Sequence, residues 1–453
     1  MPTLEVTNFS CIKGAVLELK PITILTGPQA AGKSVLTKLS FFFTELPHRQ
    51  FDAAEEGLSF DRYKAQVLAR FEEWFPPSAW GKKSFKITYR SGDEISYTIT
   101  RTVKKKPSSL EISFSDYLTT QYLTLLDEFK KGKAAVSEPD DDDFFGGRYE
   151  RIWRVRNAAF RTMSAKLGTD FVRSQTFIPA GRSFFTNLGK AVAMLEHGNQ
   201  LDEVTRKFGR LFTTLLDGHN YYFPDKPDEK TKDFLASQKD RLENLFGGKI
   251  RIGENDRHVA TDDGRKIPFS ILSSGQQELL PLLLILQYKM RMLAGVDDKS
   301  TEIIYVEEPE AHLFPEAQGQ LVEYIAAISA FFKGKVLFLI TTHSPYVISK
   351  FNNLIKAFTV ATFAPKGSGA RVEGIVDRKL WLPPASVNAY ALHDGNLRSV
   401  NDRTGLIDGD YLDGISEDIS ETFLSLLEAE TEIDRERMSL AEKTIKDKIG
   451  GER

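Results

Sequence analysis

Four short segments carry residue types and spacings suited to phosphate chemistry. Gly27-Pro28-Gln29-Ala30-Ala31-Gly32-Lys33-Ser34 has the pattern G-x-x-x-x-G-K-[ST]. Its glycines allow backbone shapes and close approaches that a Cβ blocks. Lys33 is placed to neutralise phosphate charge, and the Ser34 hydroxyl to ligate Mg²⁺. Glu307 and Glu308 end the apolar run Ile303–Val306. The first of these carboxylates suits Mg²⁺, directly or through water, and the second suits polarising an attacking water. His343 follows the apolar run Val336–Ile340 and Thr341-Thr342. A histidine there can donate to a terminal phosphate and orient the water. Leu272-Ser273-Ser274-Gly275-Gln276-Gln277 precedes the apolar run Leu279–Leu286. Ser273 or Ser274 can cap a helix whose N–H groups and hydroxyl face an anion. Alone, each segment also has a plain reading: a glycine turn, a solvated acid pair, a structural histidine, a capped core helix. Their joint occurrence in this order selects one nucleotide site.

The elements that must position these residues are legible. Ile22–Thr26 is a β-branched apolar run, read as a buried strand, and Val35–Phe41 begins a helix. A strand, a glycine-bearing loop and a helix N-terminus aim backbone N–H groups and the positive helix end at a phosphate. Runs 302–306 and 336–340 read as buried parallel strands. Ligand chemistry in open α/β sheets sits at the carboxyl ends of such strands, which is where Glu307, Glu308 and His343 fall. Leu279–Leu286 reads as a buried helix with Pro281 in its first turns.

The rest of the chain frames this unit. Leu4–Ser10 and Ala15–Lys20 read as strands, Ser84–Thr100 as a hairpin turning at Gly92-Asp93, and Leu110–Phe114 as a further strand. Tyr117–Gly132 and Tyr149–Leu167 read as helices, separated by the acidic loop Glu138–Asp143. Leu188–Phe246 is mostly helical with a break at Tyr222-Phe223-Pro224, and 249–271 suggests a hairpin leading into the serine-glycine segment. Long heptads are missing, so a coiled-coil arm is not expected. The resulting division is an N-terminal lobe (1–116), a mostly helical lobe (117–246), the second half of the nucleotide-binding unit (247–350) and a C-terminal α/β to helical extension (351–453). Arg148, Arg151, Arg154, Arg156 and Arg161 gather on one predicted helix, with Lys104–Lys106 and Lys130-Lys131 nearby. A solvated helix face paired with the neighbouring acidic loop accounts for them better than phosphate contact or an acidic partner.

Composition excludes several classes. Lys+Arg 60 against Asp+Glu 63 gives a net charge of −3, so global charge gives no hint of nucleic acid. The single cysteine, Cys11, rules out an internal disulfide and makes a reducing cytoplasm the natural setting. The longest strongly apolar run, Leu279–Leu286, is too short to span a bilayer, so no membrane partner is expected.

With these motifs in view, the chain resembles the ABC-type ATPases over residues 1 to about 350. More narrowly it resembles the branch holding RecF, the Rad50/SMC heads and the overcoming-lysogenization-defect (OLD) ATPases. Val306-Glu307-Glu308-Pro309-Glu310-Ala311-His312-Leu313-Phe314-Pro315 looks like the Walker B and D-loop of OLD-like proteins. The resemblance implies an α/β fold, an ABC-ATPase head with a helical insertion and no long arm. It implies ATP and Mg²⁺ as ligands. Ser273, Ser274, Gly275 and Gln276 of one copy would contact the nucleotide held by residues 27–34 of another, in a head-to-tail dimer with two sites. Two positions depart from the family. Glu307 stands where many such ATPases have Asp, which adds one methylene. The turn after Ser174–Ile178, where a glutamine loop is expected, carries Pro179-Ala180-Gly181-Arg182 instead. Arg182 could reach a phosphate or the partner, or be a surface arginine; His312 is a candidate for contacts across the dimer.

The C-terminal hundred residues separate the members of this group. OLD nucleases carry a Toprim domain there, and Glu373-Gly374 with Asp408-Gly409-Asp410 echo its acids over too short an interval, followed mainly by the helical stretch Ile415–Ile449. These acids read as loop residues. The chain then looks most like the ATPase subunit of PARIS-type anti-phage defence systems, with a Septu-type ATPase close behind. That likeness implies a sensor that responds to a phage protein and releases a separate effector nuclease, with assembly into a higher homo-oligomer. A RecF-like DNA-binding ATPase in repair is the rival from another class.

Overall fold

The computed structural model describes residues 1–103, 109–134, 146–188, 201–217, 228–253, 256–294, 299–363, 369–409 and 422–426. The expected acidic loop 138–143, Lys104–Lys106, the break at 222–224, Asp410 and most of 415–449 lie outside them. Two units are distinguished, Met1–Ile407 and Asp408–Arg453; of the second, residues 408, 409 and a helical turn at 422–426 are described.

The first unit is built on one eleven-stranded sheet. Its strands and those of a small second sheet are β1 (Pro2–Phe9), β2 (Ile12–Glu18), β3 (Ile22–Thr26), β4 (Phe85–Ser91), β5 (Ile95–Thr102), β6 (Ser109–Phe114) and β7 (Val172–Ile178). Then come β8 (Lys249–Ile252), β9 (Arg257–Ala260), β10 (Lys266–Pro268), β11 (Thr301–Glu307), β12 (Val336–Thr341), β13 (Val387–His393) and β14 (Asn396–Ser399). The main sheet runs β6-β5-β4-β1-β2-β14-β13-β3-β12-β11-β7, and β10-β9-β8 form the small one. Strands β7, β11, β12, β3 and β13 are mutually parallel, whereas β6-β5-β4-β1-β2 is antiparallel throughout.

The two halves differ in sequence because they differ in burial. Every residue of β3, β11 and β12 is buried, as parallel strands covered on both faces require. Strand β1 alternates instead, with Leu4 and Val6 buried between more exposed neighbours. The hairpin β4–β5 and the strand β6 fall where the sequence places them.

Helices cover the sheet: α1 (Lys33–Glu56), α2 (Phe60–Trp74), α3 (Asp116–Ala134), α4 (Gly146–Leu167), α5 (Ser183–Leu188), α6 (Glu203–Asp217), α7 (Glu229–Phe246), α8 (Ser274–Leu293), α9 (Pro315–Phe332), α10 (Pro345–Phe363) and α11 (Gly369–Glu373). None described exceeds the 24 residues of α1, and none is long and apolar enough to cross a membrane. Pro281 lies inside α8, past its first turn.

Helix α1 is the hub. Phe41, Phe42 and Phe43 are consecutive, so on a helix they point about 100° apart and bury three different faces. Phe41 meets Phe177 of β7 and Tyr305 of β11 at 5.7 and 5.4 Å between ring centroids. Phe42 meets Phe71 of α2 at 5.6 Å, and Phe43 stacks on Tyr89 of β4 at 6.1 Å. Ser40 and Thr44 satisfy the buried hydroxyls of Tyr305 and Tyr89 at 3.1 Å each. Phe9 joins β1 to this cluster, with Phe71, Phe75 and Phe85 at 5.7, 5.7 and 4.9 Å. Phe9→Ala should therefore cost about 3–5 kcal/mol, read as a lowered urea midpoint. An unchanged midpoint would show that the aromatic cluster is not a single packed unit.

Candidate functional site

The parallel pairings place three chain segments side by side. Thr341 is in register with Leu25 of β3 on one side and Glu307 of β11 on the other. Past these positions the strands release Gly27, Glu308 and Thr342 at the same sheet edge. The edge that holds the Gly27–Ser34 loop therefore also holds both carboxylates and His343.

The loop is shaped by what lies behind it. Gly27 has φ 142°, and a Cβ there would stand 2.4 Å from the carbonyl oxygen of Leu392 in β13. Gly32 has φ 111°, and its Cβ would stand 2.7 Å from Cys11 Sγ. The backbone conformation and the neighbouring chain thus favour glycine at both positions. Ala30 also takes a left-handed conformation, φ 60°. Pro28, Gln29 and Ala30 are exposed, and Ala31 is half-buried, its carbonyl accepting from Cys11 Sγ at 3.5 Å. Lys33 is buried and its Nζ donates to the carbonyls of Gly27 (2.8 Å) and Pro28 (2.9 Å). Burial lowers its pKa, opposed by the nearby carboxylates of Glu308, Glu310 and Glu307. Ser34 is exposed in the first turn of α1, whose N-cap is Gly32, so no side chain caps that turn.

Glu307 is buried, and its Oε1 accepts from Thr37 Oγ1 at 3.4 Å, one helical turn beyond Ser34. Glu308 leaves the strand with φ 42°, its N–H donating to the Thr341 carbonyl at 2.9 Å. Its side chain is 43% exposed, and Oε1 stands 3.7 Å from His343 Nε2. The His343 pKa is lowered, first by burial and then by Lys33, which keeps the imidazole neutral at pH 7. His343 also donates its backbone N–H to Glu310 Oε1 at 2.7 Å. Lys33, Glu307, Glu308 and His343 are thereby one cluster.

The serine-glycine segment starts α8 with a capping box. Ser273 Oγ accepts from the Gln276 N–H at 3.3 Å, and Gln276 Oε1 accepts from the Ser273 N–H at 3.2 Å. Gln276 Nε2 donates to the Phe246 carbonyl at 2.9 Å. Ser273 and Gln276 therefore shape the helix start, while Ser274 is exposed. Gly275 packs on the turn that follows Glu308: a Cβ there would stand 2.9 Å from the His312 carbonyl oxygen. Within one chain, this segment is fastened to that turn rather than to the Gly27–Ser34 loop. His312 itself is exposed, with φ 58°.

Arg182 is neither a surface residue nor aimed at a ligand. It is fully buried and donates to the carbonyls of Glu307 (2.7 Å), Glu308 (3.1 Å), Pro179 (3.2 Å) and Glu278 (3.2 Å). Its Nε lies 3.3 Å from the Glu278 carboxylate of α8. Five donors on a planar fork can bind several carbonyls that converge at a strand end. The sequence shows only an arginine after a turn, and nothing in its spacing reveals this burial. The glutamine nearest the expected loop, Gln175, lies within β7, where its Nε2 donates to the Phe41 carbonyl at 2.8 Å. Sequence reasoning also missed Thr37 and Glu310; an i+3 hydroxyl after Ser34 was the available signal for the first.

Outside this cluster the other candidates are plain. Arg156 pairs with Asp52 and Glu55 of α1 at 2.8 and 4.0 Å, and the acidic loop 138–143 and the side chains of Arg148 and Arg151 lie outside the described residues. Glu373 is exposed at the end of α11, and among the described residues no group of three or more His, Cys, Asp or Glu is arranged to hold a metal.

Residues 194–348 match the family model of the AAA ATPase domain. That is a third of the chain; it includes the Ser273–Gln276 segment, both carboxylates and His343 but not the Gly27–Ser34 loop. The match supports an ATPase. No curated protein matches the chain. Among solved structures it is similar to an SMC head bound to the C-terminal winged-helix domain of ScpA, at 13% identity and TM-score 0.39, covering 88% of this chain and 96% of that one. It is also similar to the SMC head domain from Thermotoga maritima, at 14% identity and TM-score 0.33, covering 88% and 97%. These scores are too low to carry an assignment, and the α/β class rests on the strand order itself.

Arg182→Met should cost about 3–5 kcal/mol in urea unfolding, because it strands the buried Glu278 carboxylate and four carbonyls. Wild-type stability would show that Arg182 is not the strut these distances describe.

Proposed function

We propose that this chain binds ATP with Mg²⁺ and hydrolyses it to ADP and phosphate. The observation that carries this reading is the convergence of Lys33, Glu307, Glu308 and His343 at the carboxyl ends of adjacent parallel strands. The backbone N–H groups of 28–34 and the start of α1 cradle the phosphates, and Lys33 leaves its two carbonyl partners for phosphate oxygens. An exposed hydroxyl at Ser34 and a buried carboxylate at Glu307, which reaches the next turn of α1, fit a divalent cation that takes oxygen ligands. A cation held by these two residues would supply positive charge to offset that of the phosphates. Glu308 polarises the water that adds to the γ-phosphorus as the bond to the bridging oxygen breaks. The neutral His343 imidazole orients that water and the γ-phosphate.

The second part of the reading is that Ser274 and Gly275 close the nucleotide site of another copy. Ser274 is exposed at a helix N-terminus, a position suited to a terminal phosphate. Large apolar side chains stand exposed beside the motifs: Ile271 (68%), Phe314 (77%) and Tyr346 (55%). Apolar groups of that size beside a polar site favour a protein interface. Hydrolysis then occurs between two copies. The narrower reading is a sensor or regulatory subunit of a bacterial anti-phage system, holding and releasing a separate effector nuclease. Its support is the likeness of Val306–Pro315 to the OLD motif.

Glu308→Gln should lose hydrolysis about 10²–10⁴-fold while retaining ATP, and light scattering with ATP and Mg²⁺ should show a dimer. Hydrolysis at the wild-type rate would remove Glu308 from the chemistry; a monomer saturated with ATP would remove the two-copy site. Lys33→Ala should weaken ATP binding at least about tenfold. Undiminished affinity would place the nucleotide elsewhere. Tagged Glu308→Gln recovered from the native host should carry a nuclease identified by mass spectrometry. Recovery with DNA and no protein partner would instead favour a RecF-like role.

A further inference from the structure

Glu310 has no part in the roles described so far. It lies two residues past Glu308, in the turn between β11 and α9. Its Oε1 accepts from Thr342 Oγ1 at 2.7 Å and from the His343 N–H at 2.7 Å. Two donors from consecutive residues on one oxygen staple the segment after β12 to the turn after β11. The other oxygen, Oε2, is buried without a hydrogen-bond partner.

The staple matters because Glu308 and His343 leave different strands. The ladder between β11 and β12 ends at Glu307 and Thr341, and the Glu308 N–H adds one bond to Thr341. Beyond that, the backbone turns sharply at Glu308 (φ 42°) on one side and enters α10 at Pro345 on the other. Ser344 ties the segment to the same turn indirectly: its Oγ donates to Gln318 Oε1 at 2.5 Å, and Gln318 Nε2 donates to the Leu313 carbonyl at 2.9 Å. The two bonds that Glu310 accepts are the direct link between His343 itself and the turn carrying the carboxylate.

We propose that Glu310 is a positioning residue: its Oε1 sets the separation of the His343 imidazole from the Glu308 carboxylate, 3.7 Å here, and so the place where water meets the terminal phosphate. Both donors to Oε1 come from the chain itself, so Glu310 acts through His343. The inference rests on the roles given above to Glu308 and His343.

The test uses Glu310→Ala, Glu310→Gln, His343→Ala and the double variant Glu310→Ala/His343→Ala of the full chain. In nucleotide-free protein, hydrogen exchange at the His343 amide should be about tenfold faster in Glu310→Ala, the loss of one hydrogen bond, and near wild type in Glu310→Gln, whose amide oxygen still accepts. Under saturating ATP, Glu310→Ala should lower kcat about tenfold with KM within about threefold, Glu310→Gln should restore most of it, and the double variant should be no slower than His343→Ala alone. Unchanged exchange in Glu310→Ala overturns the staple. So does a kcat loss that adds in full to that of His343→Ala. If Glu310→Ala does not fold, Glu310→Gln decides: near wild-type kcat supports the inference, and a rate as low as His343→Ala refutes it. Failure of the ATPase reading is separately visible, as Glu308→Gln turning over at the wild-type rate, and the exchange measurement stands without nucleotide.

Discussion

The parallel register of β3, β12 and β11 is the constraint on which the rest depends. Thr341 pairs with Leu25 and with Glu307, so one row across three strands fixes where three distant segments of chain end. A slip of one residue in any strand would turn its side chains to the opposite face and move its terminal residue off the shared edge. The strands resist such a slip because all their side chains are buried, and α1 locks them from one face through Phe41 and Tyr305. Packing that serves the core thus also sets the geometry of the charged groups.

Collecting Lys33, three glutamates and His343 at one edge carries a cost that the fold meets locally. The Lys33 ammonium is spread over two loop carbonyls. The turn after β11 holds two residues with left-handed backbone, Glu308 and His312, and such conformations persist where surrounding contacts over-determine them. Arg182 supplies those contacts from beneath, Gly275 packs against the turn, and Glu310 ties it to the segment after β12. The same turn therefore meets the start of α8, the two carboxylates and the histidine segment. A change at Ser274 or Gly275 would be felt first there.

Much of this was legible in the sequence because the signals were local. A β-branched run followed by two spaced glycines, lysine and serine has one good structural solution, and so does an apolar run ended by paired acids. The sequence offered Ser273 or Ser274 as the cap, and the structure assigns Ser273 and Gln276 together to a capping box. What stayed hidden was non-local. Leu392 presses on Gly27 from a strand 365 positions later in the chain, and nothing in Val387–His393 announces a neighbour of β3. Arg182 looked like a ligand-facing or surface residue because burial of an arginine depends on carbonyls that only the assembled sheet brings together. Glu310 was hidden by its neighbours, since a third acid after Glu307 and Glu308 looks like more of the same until its hydrogen bonds are seen.

In the proposed mechanism, a complete site needs the Gly27–Ser34 loop of one copy and the Ser274 helix start of another. The direct measurement is ATP turnover on mixing two inactive variants, Lys33→Ala and Ser274→Arg. The first lacks a working loop but keeps its helix start; the second keeps its loop and blocks the exposed helix start. Two-copy sites predict that the mixture regains activity, up to one working site in each mixed dimer. A mixture as inactive as its components, with both variants folded and able to dimerise, would contradict the account.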